Sequence, residues 1–406
     1  MLKIHVFSTG YRIPVVYRTK DPAIPVFLPF TYSIIKIRDK AFATRRRHQA
    51  TINELYQFFE EEKNIELDEV LIEGQFYALF DHLSEFFMIY LYRHLDKKHP
   101  SSAALLTKVS IVRDYLHWAS ARYVQQRVDS NNRAKIEENL ELRLTAFFQS
   151  YISPSGFTRR NYKSLSQLEV THLLEVVHPD SDHNPFAPEH RLRNFLIVKL
   201  FLATGIRLGE LLLLRTTSMA QEDENFYMSI APSLNPEDTR ADLPDLKNSQ
   251  SERIVAINEQ LYILSDYYIL HLRRPVRKGK TMNLTHGFLF TSELGKPLSK
   301  GAVADIFRKI NSTLLILNKP SSIRISPHVL RHTFADNFLQ YLIDVRHLDM
   351  ARAKDELRAV CGWTIDSPMP LHYAARYISR MANQHNLDRI ATTSIIYEQQ
   401  TENNIK

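Results

Sequence analysis

The spacing of apolar positions changes character several times along the 406-residue chain. Through residues 1–40, short β-branched and aromatic runs alternate with prolines, as in "VFLPFTYSIIKI", which predicts short strands or an extended arm. From "ATRRRHQATINELYQFFEEEKNI" onward, Ile52, Leu55, Phe58 and Phe59 recur roughly a turn apart, so a helix is predicted behind a basic lead-in of Arg45, Arg46 and Arg47. "LSEFFMIYLYRHL" and "KIEENLELRLTAFF" repeat that period, and residues 41–150 are expected to form one helical domain. Periodicity then stops: residues 151–163, within "YISPSGFTRRNYKSLS", carry Pro, Gly, Ser and basic residues, as a linker does.

A second, larger domain is expected over residues 164–395, with 396–406 as a tail. "SLSQLEVTHLLEVV" opens a helix with Ser164 or Ser166 as its cap. "RNFLIVKLFLATG" is apolar nearly all round and predicts a helix buried in the middle of the domain. "NFYMSIA" and "ERIVAI" read as strands, and "HGFLFTSELGKPLS" as a strand and turn leading to a helix capped by Ser299. The expected fold class is mainly α with a small β-sheet, an α+β arrangement. The scarcity of glycine, 10 residues in all, agrees with helices rather than turn-rich β structure.

Composition narrows the partners. A formal charge of +7 suits an anionic partner such as nucleic acid without requiring one. Cys361 is the single cysteine, which excludes an internal disulfide and a multi-cysteine zinc site and favours a reducing, cytoplasmic setting. The segment "MLKIHVFSTGYRIPVVYR" lacks an uninterrupted apolar core, and no long uncharged apolar run occurs, so neither secretion nor a membrane span is expected.

Two clusters carry the candidate chemistry. In "ISPHVLRHTFADNFLQ", Ser326 is a natural cap and Pro327 suits a first helical turn. That phase puts His328, Arg331 and His332 on one face and leaves Leu330, Phe334 and Phe338 to pack inward. Imidazoles and a guanidinium beside free backbone amides make an anion site, although an exposed polar face with no ligand has the same pattern. In "TGIRLGELLLLR", Arg207 and Glu210 stand three residues apart inside a greasy stretch. If Thr204 caps that helix, Arg207 lies in its first turn, where dipole and guanidinium reinforce each other around a phosphate. Two arginines on one phosphoryl group stabilise the charge that develops on its equatorial oxygens.

These boxes resemble the tyrosine recombinases, or phage integrases. "ATGIRLGEL" matches the first arginine box, "HVLRHTFA" the His-x-x-Arg-His box about 120 residues later, "CGW" a downstream position, and a tyrosine follows. The resemblance spans roughly residues 160–390. It implies a catalytic domain there and, more loosely, a core-binding domain in the helical region ahead of it.

The resemblance makes Arg207 and Arg331 clamps on a scissile phosphate and gives His328 a part in proton transfer. Trp363 stands where most members have a second histidine; its N–H can donate to a phosphate oxygen but cannot shuttle a proton. Lys247, in "DLKNSQSERIVAI", matches the lysine thought to protonate the leaving 5′ oxygen, with Lys278 and Lys280 competing by charge. His332 and Glu210 are supporting residues. Tyr373 and Tyr377 share one helix face as alternative nucleophiles: family spacing favours Tyr373, whereas "RYISR" around Tyr377 resembles many members' active-site strings.

The implied activity is site-specific cutting and rejoining of DNA through a 3′-phosphotyrosyl link, with no cofactor, metal or ATP, of the kind that mobile elements use. The implied partners are double-stranded DNA, a tetramer of this chain on two DNA sites, and accessory recombination proteins, in the cytoplasm at the nucleoid. Arg45, Arg46 and Arg47 would touch phosphates. A type IB topoisomerase-like enzyme and a non-catalytic DNA-binding relative remain as alternatives.

Overall fold

A computed structural model describes the chain apart from residues 9–10, 19–23, 96–101, 150, 152–163, 233–237, 239, 241, 245, 247–248, 278, 320 and 406. The expected linker beyond Tyr151, together with Lys247 and Lys278, therefore lies outside the described residues. The chain divides into two compact units, Met1–Arg160 and, for the most part, Asn161–Ser233 with Glu237–Lys406.

The first unit opens with an antiparallel hairpin, β1 (Leu2–Val6) and β2 (Arg12–Val16). Among the described residues six α-helices follow: α1 (Phe27–Ile35), α2 (Phe42–Gln57), α3 (Leu67–Ile72), α4 (Phe80–Leu95), α5 (Ser102–Arg127) and α6 (Arg133–Gln149). Val16, Val26, Leu28 and Tyr32 share one core with Ile52, Leu55, Phe59, Tyr115 and Phe148, so the hairpin and α1 belong to the helical body. The strand or arm expected around "VFLPFTYSIIKI" is thus a helix. Its cap comes from far away: the Asp68 carboxylate accepts from the backbone N–H groups of Phe27 and Leu28, which local sequence does not reveal.

The second unit contains α7 (Gln167–Val177), α8 (Pro188–Thr204), α9 (Leu208–Leu213), the sheet strands β3 (Met219–Glu222), β4 (Asn225–Ile230) and β5 (Arg253–Ile257), and α10 (Glu259–Tyr267), which runs on as a π turn to Leu272. A two-residue ribbon of β6 (Val276–Arg277) and β7 (Lys280–Thr281) precedes α11 (Lys300–Ile316), α12 (Pro327–Asp344), α13 (Met350–Cys361) and α14 (Met369–Ile405). Strand order is β3-β4-β5, all antiparallel, with Ile230 opposite Arg253. The expected mainly helical fold with small sheets is what the chain adopts. α8 is buried along much of its length, as its all-round apolarity predicted. The strand expected in "HGFLFTSELGKPLS" is reduced to isolated bridges at Arg215–Phe288 and Thr291–Pro297, around a turn at Gly295.

Caps fix the helices' phases. Ser166 caps α7 in a reciprocal box with Glu169, Ser299 caps α11 and Ser326 caps α12. Helices α12, α13 and α14 enclose a second core of Phe334, Leu339, Leu357, Cys361, Trp363 and Tyr373. Among the described residues no helix is long and apolar enough to cross a membrane.

Candidate active site

The site is assembled where α8 breaks. Thr204 is the last residue of α8, not a cap for the next helix: its hydroxyl donates to the Leu200 carbonyl at 2.7 Å inside the helix it ends. Gly205 then turns left-handed at φ 59°, and Arg207 becomes the extended N-cap of α9. Glu210 sits one turn on and is 1% exposed. Its carboxylate accepts from the Arg207 backbone N–H at 3.0 Å, from the Arg207 guanidinium, and from Arg253 Nη2 at 3.0 Å. Burial pushes this carboxyl up, but Arg253 and Arg207 outweigh burial and hold it below the usual range.

Arg253, at the start of β5, also donates to the carbonyls of Val360 and Ser251 at 2.7 and 2.8 Å. Arg207 donates to Ser251 Oγ at 3.2 Å and to the Gly362 carbonyl at 3.0 Å. From α12, Arg331 donates to the carbonyls of Gly205 and, at 2.7 Å, Cys361. Both predicted arginines are therefore tied to the same two turns, at 205–207 and 361–362, and Arg207 shares the Glu210 carboxylate with Arg253. The surplus positive charge suits an anion. Burial alone does not distinguish them, because Arg207 is only half-buried, while Arg193, Arg240 and Arg273 are buried like Arg331 and donate to carbonyls. What sets Arg207 and Arg331 apart is the company they keep.

That company includes both histidines, the tryptophan and one tyrosine. The Arg331 guanidinium lies 5.4 Å from the centre of the Trp363 ring, and Trp363 stacks on Tyr373 with ring centres 5.6 Å apart. The Tyr373 hydroxyl is hydrogen-bonded to His332 Nδ1, and His332 Nε2 lies 2.8 Å from His328 Nε2. Burial, then His328, Arg376 and Arg331, bring the His332 imidazole down to about 3, so it is neutral at ordinary pH. Burial first, then Cys361 and Asp336, push the Tyr373 phenol well up. Tyr377, one turn later, is hydrogen-bonded to Asp344 instead and does not join the group.

Of the predicted site residues, the fold brings together Arg207, Glu210, His328, Arg331, His332, Trp363 and Tyr373. Arg45 departs from its expected grouping. It is 6% exposed, donates to the Tyr11 hydroxyl at 2.8 Å and lies over that ring, whereas Arg46 and Arg47 are exposed on α2. Sequence reasoning missed Ser251 and Arg253 as supports, and also Arg376, which pairs with Asp336 at 2.8 Å and donates to Ser164 Oγ at 3.1 Å. A basic residue one turn after Tyr373 on the same helix was the available signal for Arg376.

Residues 163–358 match the model of the phage integrase family. That segment holds Arg207, Lys247, His328, Arg331 and His332, while Trp363 and Tyr373 lie beyond it. The tyrosine recombinase XerD of Proteus mirabilis is 22% identical over 295 residues, covering 68% of this chain and 82% of that protein. Transposase A from transposon Tn554 of Staphylococcus aureus is 28% identical over 202 residues, and the match spans 49% of this chain and 47% of the transposase. Among solved structures, XerH site-specific recombinase bound to difH substrate aligns with 88% of this chain and 93% of its own at 15% identity, with a TM-score of 0.42.

Proposed function

Because the chain belongs, through residues 163–358, to the tyrosine recombinases, the phage integrase family of DNA breaking and rejoining enzymes, we propose that it exchanges strands between two double-stranded DNA sites through a covalent phosphotyrosyl intermediate. The Tyr373 oxygen attacks the scissile phosphorus, and the phosphate leaves its 5′ oxygen for the tyrosine. A 5′-hydroxyl from the other site later attacks the phosphotyrosine and restores a phosphodiester. The phosphotyrosyl link conserves the bond energy, so no ATP is consumed.

Arg207 and Arg331 bind the nonbridging oxygens, where their charge stabilises the transition state more than the ground state. The Trp363 N–H contributes a further hydrogen bond to a phosphate oxygen, and Lys247 protonates the leaving oxygen. Glu210 holds Arg207 in position from beneath. The observation that carries this reading is the stack of Arg331, Trp363 and Tyr373, which supports Tyr373 over Tyr377 as the nucleophile. Strand exchange further calls for four copies of the chain on two sites, with Arg46 and Arg47 among the contacts to DNA phosphates. Accessory recombination proteins fit such an assembly, which would work at the nucleoid.

Covalent capture tests the proposal. Wild type, Tyr373→Phe and Tyr377→Phe are incubated with nicked duplexes from the junctions of the genetic element that carries the gene. A denaturant-resistant adduct in wild type and Tyr377→Phe, absent from Tyr373→Phe, is the expected result. Binding without linkage on junctions shown to recombine would mark a non-catalytic relative.

A further inference from the structure

The reaction requires Tyr373 to lose a proton as its oxygen attacks; the resemblance gives His328 a part in proton transfer, but the group hydrogen-bonded to the Tyr373 hydroxyl is His332. His332 is 2% exposed and bridges the Tyr373 hydroxyl and His328, whose ring centre lies 4.1 Å from its own with planes inclined by 73°. His328 is exposed at the start of α12. Two imidazole nitrogens form a hydrogen bond only when one carries a proton and the other does not. The arrangement therefore suits a His332 with its proton on Nε2, pointing at His328, and a bare Nδ1 that accepts from Tyr373.

We propose that His332 is a proton-relay residue: Nδ1 takes the Tyr373 hydroxyl proton while Nε2 passes its own proton to His328, so the ring changes tautomer without ever carrying charge. The inference rests on the recombinase reading and deepens it. The step balances. The tyrosine O–P bond forms, the P–O5′ bond breaks with its electron pair going to the 5′ oxygen, that oxygen takes a proton from Lys247, and His328 ends as imidazolium. On rejoining, His328 returns a proton to Nε2 and Nδ1 reprotonates the departing tyrosine.

The surroundings favour passage over residence. Arg331 and His328 from α12 and Arg376 from α14 oppose a charge on His332, while Cys361 and Asp336 act on Tyr373. A buried ring among cations is a poor place to store a proton, and His328, at the exposed start of α12, leads away from it toward solvent.

The experiment is single-turnover cleavage of the junction duplexes with either an oxygen or a sulfur at the bridging 5′ position. A thiolate leaves without a proton, so Lys247→Ala is expected to be slow only on the oxygen substrate. His332→Gln, which can accept a hydrogen bond but not relay, is expected to lose about 10²-fold or more on both, within the range for a missing proton-transfer group. On the sulfur substrate, the wild-type rate is expected to fall with a curved dependence on deuterium fraction, because two protons move together. The curvature needs no variant and does not depend on whether His332→Gln folds. A linear dependence, or His332→Gln within about 3-fold of wild type, overturns the relay while leaving the recombinase reading intact. Absence of any wild-type adduct on either substrate overturns that reading and the relay with it.

Discussion

Trp363 and Tyr373 form a near-parallel ring pair, with centres 5.6 Å apart and planes inclined by 16°. The indole fills two roles at once: its face locks the tyrosine ring, and its N–H is the proposed phosphate donor. The two separate by substitution. Trp363→Phe keeps an aromatic face and is expected to fold normally. It loses only a hydrogen bond to a charged group, worth about 1.5–3 kcal/mol, so adduct formation slows roughly 10- to 100-fold. Trp363→Ala also empties part of the α12–α14 core and is expected to cost about 3–5 kcal/mol of stability in urea unfolding. Equal stability of the two variants would remove the packing role.

Glu210 is the only carboxylate hydrogen-bonded to Arg207 and Arg253 among the described residues. Glu210→Gln leaves two guanidiniums, with Arg331 close by, facing no charge. Breaking one side of a buried pair costs on the order of 3–5 kcal/mol, and that loss is expected in the variant's unfolding midpoint. The sign with pH follows from a carboxyl held below its usual value. The stabilisation is complete above about pH 4.5 and declines as pH falls through the lowered folded value, so wild type and variant converge in acid. A constant gap down to pH 2 would contradict the pairing.

His332 supplies an independent acid signature. Its folded value of about 3 lies below the ordinary imidazole value of 6.5, so the unfolded chain binds the proton first. Stability is therefore expected to fall as pH drops from about 6.5 toward 3. His332→Gln should lack that part of the fall, and its stability relative to wild type should improve over the same window. Denaturant titrations at half-unit pH steps read this directly.

Much of this site is legible from sequence because local signals set the phase of its helices. Ser326 and Pro327 fix where α12 begins, and that start fixes which way His328, Arg331 and His332 point. The break after Thr204 was visible too, but its direction was not. Whether a threonine caps the next helix or ends the previous one depends on the left-handed turn at Gly205 and on what packs over it. Arg253 and Ser251 escaped notice because their contacts reach residues up to 107 positions away, through the register of β5 beside the α13 terminus. Arg45 was misjudged for the same kind of reason. The helix period places it, but only the hairpin, through Tyr11, turns that position inward.

Gly205 shows how one backbone position joins fold and chemistry. Its φ of 59° is a conformation that costs an L-residue about 1–2 kcal/mol, and a Cβ there would fall 2.2 Å from the Phe334 ring. Its carbonyl also accepts from Arg331, so any shift that relieves the clash moves a proposed phosphate clamp. Gly205→Ala is expected to lose about 2–5 kcal/mol, the backbone cost plus the overpacking of Phe334, and to cut adduct formation beyond what lower stability explains. Gly279 provides the comparison. It is also left-handed, at φ 73°, but an added Cβ meets nothing within 4 Å. Gly279→Ala should cost only the backbone term of about 1–2 kcal/mol and leave cleavage at the wild-type rate. Unfolding midpoints and single-turnover cleavage of both variants decide the matter. Equal losses would mean that left-handed backbone alone explains Gly205; a larger loss there, with slower cleavage, would tie the turn to the position of Arg331.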